Sequence, residues 1–419
     1  MNKKYAVLKL ACYSTNVTMA IIGNVPPVLF ITFKESFGIS YSLLGFLVLV
    51  NFVTQLGIDL IFSFFSHKFN ITKAVRLTPI IAIFGLLIFG VSPYFLSGFS
   101  TFWGLLTGTV IFSAASGFAE VLISPVIAAI PSDNPDREMS KLHSIYAWGV
   151  VGAVIFSTLF LMLVGTKYWQ ILIFILTLVP LLSAIAFRLS EIPAMQTPEK
   201  VSGVLEFLKK PTLWLCVAVI FLGGAAECTM AQWCSSYAEQ ALGLPKVVGD
   251  VFGVALFAVA LGMGRTLYAK FGKNIAPILF FGSVGAVICY LTAAICPLPV
   301  VGLLACAFTG FFVSMLWPGS LIVAADRFPA GGVFIYAMMA AGGDLGASVG
   351  PQLVGIITDA AAKIPACTAL ASDMGVAPEQ LGMKLGMIVG MLFPLIAVPL
   401  YFKVWKKYGR KTETEVDHE

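Results

Sequence analysis

Charge is scarce in this chain. Asp, Glu, Lys and Arg make up 11% of its 419 residues, less than half of the roughly 25% usual for a soluble domain. Histidine is scarcer still: His67, His143 and His418 are scattered, which leaves no histidine metal cluster and no catalytic constellation facing water. There is no Gly-x-x-x-x-Gly-Lys-Ser/Thr loop to cradle nucleotide phosphates, so ATP does not drive this protein. The eight cysteines (Cys12, Cys216, Cys228, Cys234, Cys289, Cys296, Cys306, Cys367) have neither metal-ligand nor disulfide spacing. Nearly all lie in apolar stretches, where a thiol packs as a small hydrophobe. No small-residue cleavage site follows the first apolar segment, so that segment is expected to stay as an uncleaved anchor. A net charge of +5 carried in short connections is not a nucleic-acid footprint. These absences argue against an enzyme, a cofactor and a nucleic-acid partner.

What is present is apolar length. The chain is 59% hydrophobic, and about 20 apolar residues span a bilayer as a helix. Spans are read at about 6–31, 41–66, 75–95, 101–129, 144–165, 169–189, 211–238, 249–269, 276–295, 300–323, 333–358 and 381–404. An even number puts both termini on one side. Twenty Lys and Arg residues, from Lys3 and Lys4 to Lys411, fall in connections on that side, and five (Lys34, Lys167, Lys246, Lys363, Lys384) on the other. The positive-inside rule then places both termini in the cytoplasm, with the cell inner membrane as the expected location of this multi-pass protein.

The spans divide six and six. Residues 1–190 are expected to form an N-terminal six-helix bundle, 191–210 a cytoplasmic linker, 211–404 a C-terminal six-helix bundle and 405–419 a cytoplasmic tail. The halves carry a faint repeat: Pro125, Tyr146-Ala147 and Gly152-Ala153 in the first, Pro318, Tyr336-Ala337 and Gly342-Gly343 in the second. The expected fold is an all-α membrane protein of twelve transmembrane helices, its two bundles related by a pseudo-two-fold axis along the membrane normal.

Ionisable groups inside a span cost a few kcal/mol each and are expected to face the interior or a cavity. Glu227 and Asp344 lie deepest, and Glu120 lies in the inner half of span four. These three are the proton-coupling candidates. Asp59 and Arg265 are read as structural charges, Asp59 pairing with a nearby cytoplasmic base. Ser113, Ser116, Glu120 and Ser124 share one helix face, as do Asn51, Gln55 and Asp59; such stripes suit cavity walls or interhelical hydrogen bonds. Asn16, Asn24, Asn51, Gln55, His143, Trp148, Trp233, Tyr237 and Trp317 are the candidate substrate contacts, because indole faces stack on sugar C–H surfaces while amides bind hydroxyls. Gly342, Gly346 and Gly350 form a small-residue ridge, roughly 160–200° around the helix from Asp344.

Leu142-His143, Trp148-Gly149 and Gly152-Ala153 resemble the signature opening span five in the fucose:proton symporter family and related sugar transporters of the major facilitator superfamily. Gly117…Glu120, Gly223-Gly224-Ala225-Ala226-Glu227 with Trp233 and Tyr237, Gly264-Arg265 with Lys270-Phe271-Gly272, Trp317-Pro318, and Gly343…Gly350-Pro351…Gly355…Asp359 extend the likeness over most of the chain. The superfamily's charged loop after span two is reduced here to Ser66-His67-Lys68-Phe69-Asn70, and Ser124 stands where these sugar transporters often carry Asn. The resemblance implies a secondary active transporter working by alternating access, a monomer in a lipid bilayer that moves a small-molecule solute, a sugar, by proton symport. A drug or metabolite exporter using proton antiport and an uncoupled facilitator are the alternatives.

Overall fold

Hydrocarbon offers no partner for a backbone N–H or C=O, so each apolar run must satisfy its own polar groups, and a helix does so. The structure, a computed structural model, describes residues 5–65, 69–131, 135–193, 208–271, 274–328 and 332–408. Every regular element among the described residues is helical. Most of the expected linker and tail lies outside them.

α1 comprises Ala6–Val28 and, beyond a break at Leu29, Phe30–Phe37; Pro26 and Pro27 lack the N–H donors that would carry the ladder straight on. α2 is Tyr41–Phe65, α3 Ile71–Phe95, α4 Thr101–Ala128 and α5 Pro135–Val164. α6 is Trp169–Leu176 with Leu178–Arg188. α7, Pro211–Gln240, begins on a proline, which suits the first turn because its missing donor has no intrahelical acceptor there. α8 opens with a π-helical turn, Gly249–Ala255, and continues as Leu256–Phe271. α9 is Ile275–Ile295; α10 is Pro299–Val313 and, after a break, Leu316–Arg327. α11 is Gly332–Ala361 and α12 Pro378–Tyr408.

Eleven helices among the described residues are long and apolar enough to cross a membrane. The twelfth is α11: its segment Met338–Ala361 meets that standard together with the short helix Pro365–Asp373, bent from it by 81°. Gly342-Gly343-Asp344, Pro351-Gln352 and Asp359 interrupt its apolar residues. The repeat between halves has a structural counterpart at α3 and α9. Asn70 Oδ1 accepts from the Lys73 N–H at 3.0 Å, and Asn274 Oδ1 from the Ala276 N–H at 3.1 Å, each satisfying an orphan donor of the first turn.

α3, α6, α9 and α12, three positions apart in the order of spans, carry exposed apolar residues such as Phe84, Leu178, Phe281 and Ile396. These are the faces that meet lipid. Within the C-terminal half the glycine ridge packs on α7: a Cβ on Gly342 would meet Val217, one on Gly346 the Phe221 carbonyl, and one on Gly350 the Thr229 hydroxyl.

The halves meet most closely at the end remote from the termini. α2 lies along α11. Asp359, near the end of α11, accepts the Ser42 N–H at 2.7 Å and the Tyr41 N–H at 3.2 Å, capping the first turn of α2 from the other half. Asp250 of the π-helical turn accepts from the Thr158 hydroxyl of α5 at 2.9 Å, from the Ser235 hydroxyl, and from Lys246 at 3.4 Å. Trp233 is fully buried between Phe30 and Tyr41, its indole N–H donated to the Pro351 carbonyl at 2.9 Å. At the terminus-sharing end, by contrast, α4 and α10 barely touch among the described residues. Among the described residues the two bundles are thus tied together far from the termini and hardly at all between α4 and α10, an arrangement like a wedge.

Gly346→Ala is expected to push α7 and α11 apart and to cost about 1–3 kcal/mol, read as a lower melting temperature of detergent-purified protein. Gly262→Ala, where a Cβ meets nothing within 4 Å, should leave the melt unchanged or slightly raised. Asp359→Ala, made in a Cys367→Ser background, should loosen the closed end. Adding Ser42→Cys to both backgrounds then gives the readout: an impermeant thiol reagent should label that position faster when Asp359 is replaced.

Candidate functional site

Three acids from three helices converge inside the wedge. Asp59 comes from α2, Glu120 from α4 and Asp344 from α11, and a carboxylate oxygen of each lies within 4.8 Å of the others. Asp59 is 4% exposed and Asp344 3%. Both Asp59 oxygens and Asp344 Oδ2 are buried without a hydrogen-bond donor. Glu120 is exposed, eight residues short of the end of α4. Since its carboxylate also faces two buried acids, this exposure belongs to the space between the halves. Among the described residues no Lys or Arg reaches the three within ion-pair distance. Two ionised carboxylates at that separation repel by about 3 kcal/mol at an effective dielectric constant of about 20, so three bare charges cannot coexist here.

The expected basic partner for Asp59 is therefore replaced by two more acids. Its stripe explains this: Asn51, Gln55 and Asp59 share a face, all are buried, and that face points at α4 and α11 rather than toward a loop. The two stripes meet, with the Ser113 hydroxyl donating to Asn51 Oδ1 at 2.5 Å.

The second charged feature lies wholly in the C-terminal half. Arg265 of α8 donates from Nη2 to both oxygens of Glu227 on α7, at 3.2 and 3.4 Å, and from Nε to the Ser314 carbonyl at 3.1 Å. The break in α10 between Val313 and Leu316 leaves that carbonyl free to accept. The Arg265 side chain is 40% exposed and that of Glu227 15%, so the guanidinium is not sealed within the protein. Tyr146 of α5, half-buried, stands within electrostatic reach of Glu120, Glu227 and Arg265. Trp317 of α10, also half-buried, lies over Gly224 and Gly343, whose missing side chains make room for its ring.

The remaining candidate solute contacts separate by their partners. Asn16 donates to the Leu142 carbonyl at 2.9 Å, joining α1 to α5. Asn24 donates to the Ala20 carbonyl of its own helix at 2.9 Å, and Gln55 to the Asn51 carbonyl at 3.4 Å. Trp233 belongs to the closed end. The Tyr237 hydroxyl is given to the Ala293 carbonyl at 2.7 Å. Trp148 is 69% exposed and lines an apolar groove with Val17, Ile21, Phe156, Ile175 and Val179, between α1, α5 and α6. It lies about 200° around α5 from Tyr146, so only one of the two can face the acids. His143 is in α5, but its side chain lies outside the described residues. Trp317 is thus the member of the expected set that lies, half-buried, between α7 and α11, over Gly343, the neighbour of Asp344 in sequence. Tyr146, absent from that set, joins it; its repetition as Tyr336 in the second half was the available signal.

The family model described as the Major Facilitator Superfamily matches residues 11–351. Among curated proteins none matches this sequence. Several solved structures are similar. A bacterial homologue of the human lysosomal transporter Spinster, in an inward-facing and unoccupied conformation, is 15% identical with a TM-score of 0.75, over 97% of this chain and 98% of that one. A single-substitution variant of the Escherichia coli fucose:proton symporter is 16% identical with a TM-score of 0.58, over 94% and 99%. A D-xylose–proton symporter is 14% identical with a TM-score of 0.68, over 94% and 97%. At these identities the likeness is one of fold.

Arg265→Ala leaves Glu227 facing the wedge without its cation and should destabilise the protein by about 1–3 kcal/mol, less than the 3–5 kcal/mol for a fully buried pair because the guanidinium is not sealed within the protein. Adding Glu227→Gln should recover part of that loss. Melting curves of the wild type, both single variants and the double variant supply the complete cycle.

Proposed function

This chain belongs to the Major Facilitator Superfamily, and we propose that it is a secondary active transporter that imports a small polar solute, a sugar first, together with a proton. The observation carrying this reading is the Glu227–Arg265 pair, an acid and a base paired at 3.2 Å within the membrane-spanning part of the C-terminal half. A carboxylate in a low-dielectric site is disfavoured in its charged form unless a partner balances it. Ionised Glu227 holds Arg265; protonated Glu227 releases it. Arg265 also grips the break in α10 through Ser314, so a proton on Glu227 changes how α7, α8 and α10 hold together. That is a two-state element with one proton as its ligand.

The solute site lies between the halves, where Trp317 offers a ring face, Tyr146 a hydroxyl and Glu227 acceptor oxygens. An aromatic face beside several acceptors suits a neutral polyhydroxylated solute. Twenty basic residues on the terminus side against five opposite favour cytoplasmic termini and the bacterial inner membrane. The wedge is then inward-facing, with Asp359, Asp250 and Trp233 closing its outer end. Alternating access is the rocking of one six-helix bundle against the other about this central site.

Uptake of labelled hexoses, pentoses, a nucleoside, a dipeptide and a lipophilic cation, with and without a proton ionophore, tests the reading. Ionophore-sensitive accumulation of a sugar is expected. Glu227→Gln should abolish accumulation against a gradient while leaving exchange of labelled for unlabelled solute. Undiminished accumulation by Glu227→Gln would remove Glu227 as the carrier, and reduced retention of the lipophilic cation without sugar uptake would mark an exporter.

A further inference from the structure

The Asp59, Glu120 and Asp344 cluster has no part in the Glu227 proton step, and its geometry makes a demand of its own. Its donors are all carboxylate oxygens, the set that hard cations select. Two oxygens held by one cation at about 2.4 Å stand at most about 4.8 Å apart, and one oxygen of each residue falls inside that limit. Asp59 Oδ1, Asp59 Oδ2 and Asp344 Oδ2 are buried and receive no donor from outside the cluster, while Asp59 and Asp344 are close enough to share a proton with each other. Arg265, the guanidinium beside this region, is engaged by Glu227 and by the Ser314 carbonyl. Glu120 is the exposed member of the three.

We propose that Asp59, Glu120 and Asp344 form a binding site for a hard, oxygen-seeking metal cation. Two ligands belong to the N-terminal half, on α2 and α4, and one to the C-terminal half, on α11. The set is complete only while α2 lies along α11, the packing that also closes the far end through Asp359. The cation therefore ties the halves together in the state open at the terminus end, and losing it frees them to rock. A ligand that binds one of two states shifts the balance toward it. The inference does not rest on the proton reading at Glu227, nor on the solute being a sugar.

The test uses the full-length protein purified in detergent, stripped with a chelator, exchanged into choline chloride at pH 7.5 and titrated at constant ionic strength with NaCl, LiCl, MgCl2, CaCl2 or MnCl2. At least one cation should raise the melting temperature saturably by several degrees over choline. Its apparent affinity should fall at least tenfold in Asp59→Asn and in Asp344→Asn but stay unchanged in Gly262→Ala, where the added Cβ meets nothing within 4 Å. If Mn2+ is the responder, electron paramagnetic resonance should count one bound ion per chain, and none at the same concentration in the two Asn variants. Both should fold, since each removes a like charge; should either fail, Glu120→Gln at the exposed member reads the same loss. Three results would overturn the proposal: no cation surpassing choline, a shift that survives in all three variants, or a shift reproduced by acidifying to pH 5.5 in choline with no further response to metal. The last would make the cluster a set of acids sharing protons. Solute uptake enters none of these readouts, so failure here and failure of the transport reading are told apart.

Discussion

A polar group left without a partner in hydrocarbon is the cost around which this protein is built. Single hydroxyls satisfy themselves within their own helix, as Thr15 does on the Ala11 carbonyl, Thr109 on Leu105 and Thr309 on Ala305. Larger polar groups reach across and become ties between helices: Tyr237 to Ala293, Tyr290 to Ala226, Tyr401 to Val219. The four-residue spacing of glycines on α11 serves the same end, because dispersion between closely approaching backbones must replace a hydrophobic drive that lipid tails do not supply. Tyr41, Ser157, Thr229, Glu239 and Gln352 each keep a buried polar atom without a partner; at Asp59 and Asp344 such oxygens converge from the two halves beside a third acid.

Closure of one end follows from the same rule. The first turn of α2 has orphan N–H groups, and the residue that accepts them, Asp359, belongs to the opposite half. A carboxylate at a helix N-terminus also meets the positive end of the helix dipole. At the second contact Asp250 sits in a π-helical turn, where a bulge re-aims a side chain out of the regular ladder, and it collects donors from both halves. These bonds sit beside the long α2–α11 contact and the buried packing of Trp233 on Phe30 and Tyr41, so opening this end must part apolar surface as well as exchange hydrogen bonds for water.

The spans, their order and the division six and six were legible because a bilayer imposes length and hydropathy on the sequence directly. The glycine ridge was legible for a local reason, a period of four on one helix. The solute contacts were not, since a polar residue in a span looks the same whether it binds a solute or another helix. Asn16, Asn51 and Tyr237 read as possible contacts and spend their hydrogen bonds between helices. Trp148 matches a signature motif, yet its face of α5 turns into an apolar groove and leaves Tyr146, two residues earlier, toward the acids.

The sequence by itself determined that this chain is a transporter-type membrane bundle, because apolar run length, the distribution of Lys and Arg and the faint repeat are properties of the chain read in order. Only the tertiary structure decided which acids meet. Glu227 and Arg265 face each other because α7 and α8 lie side by side with the broken α10 behind them. Asp59, Glu120 and Asp344 face one another because two halves far apart in sequence close at one end. No periodicity within a single helix encodes either meeting, since each depends on how separate helices rotate and tilt against one another, and that is settled by packing.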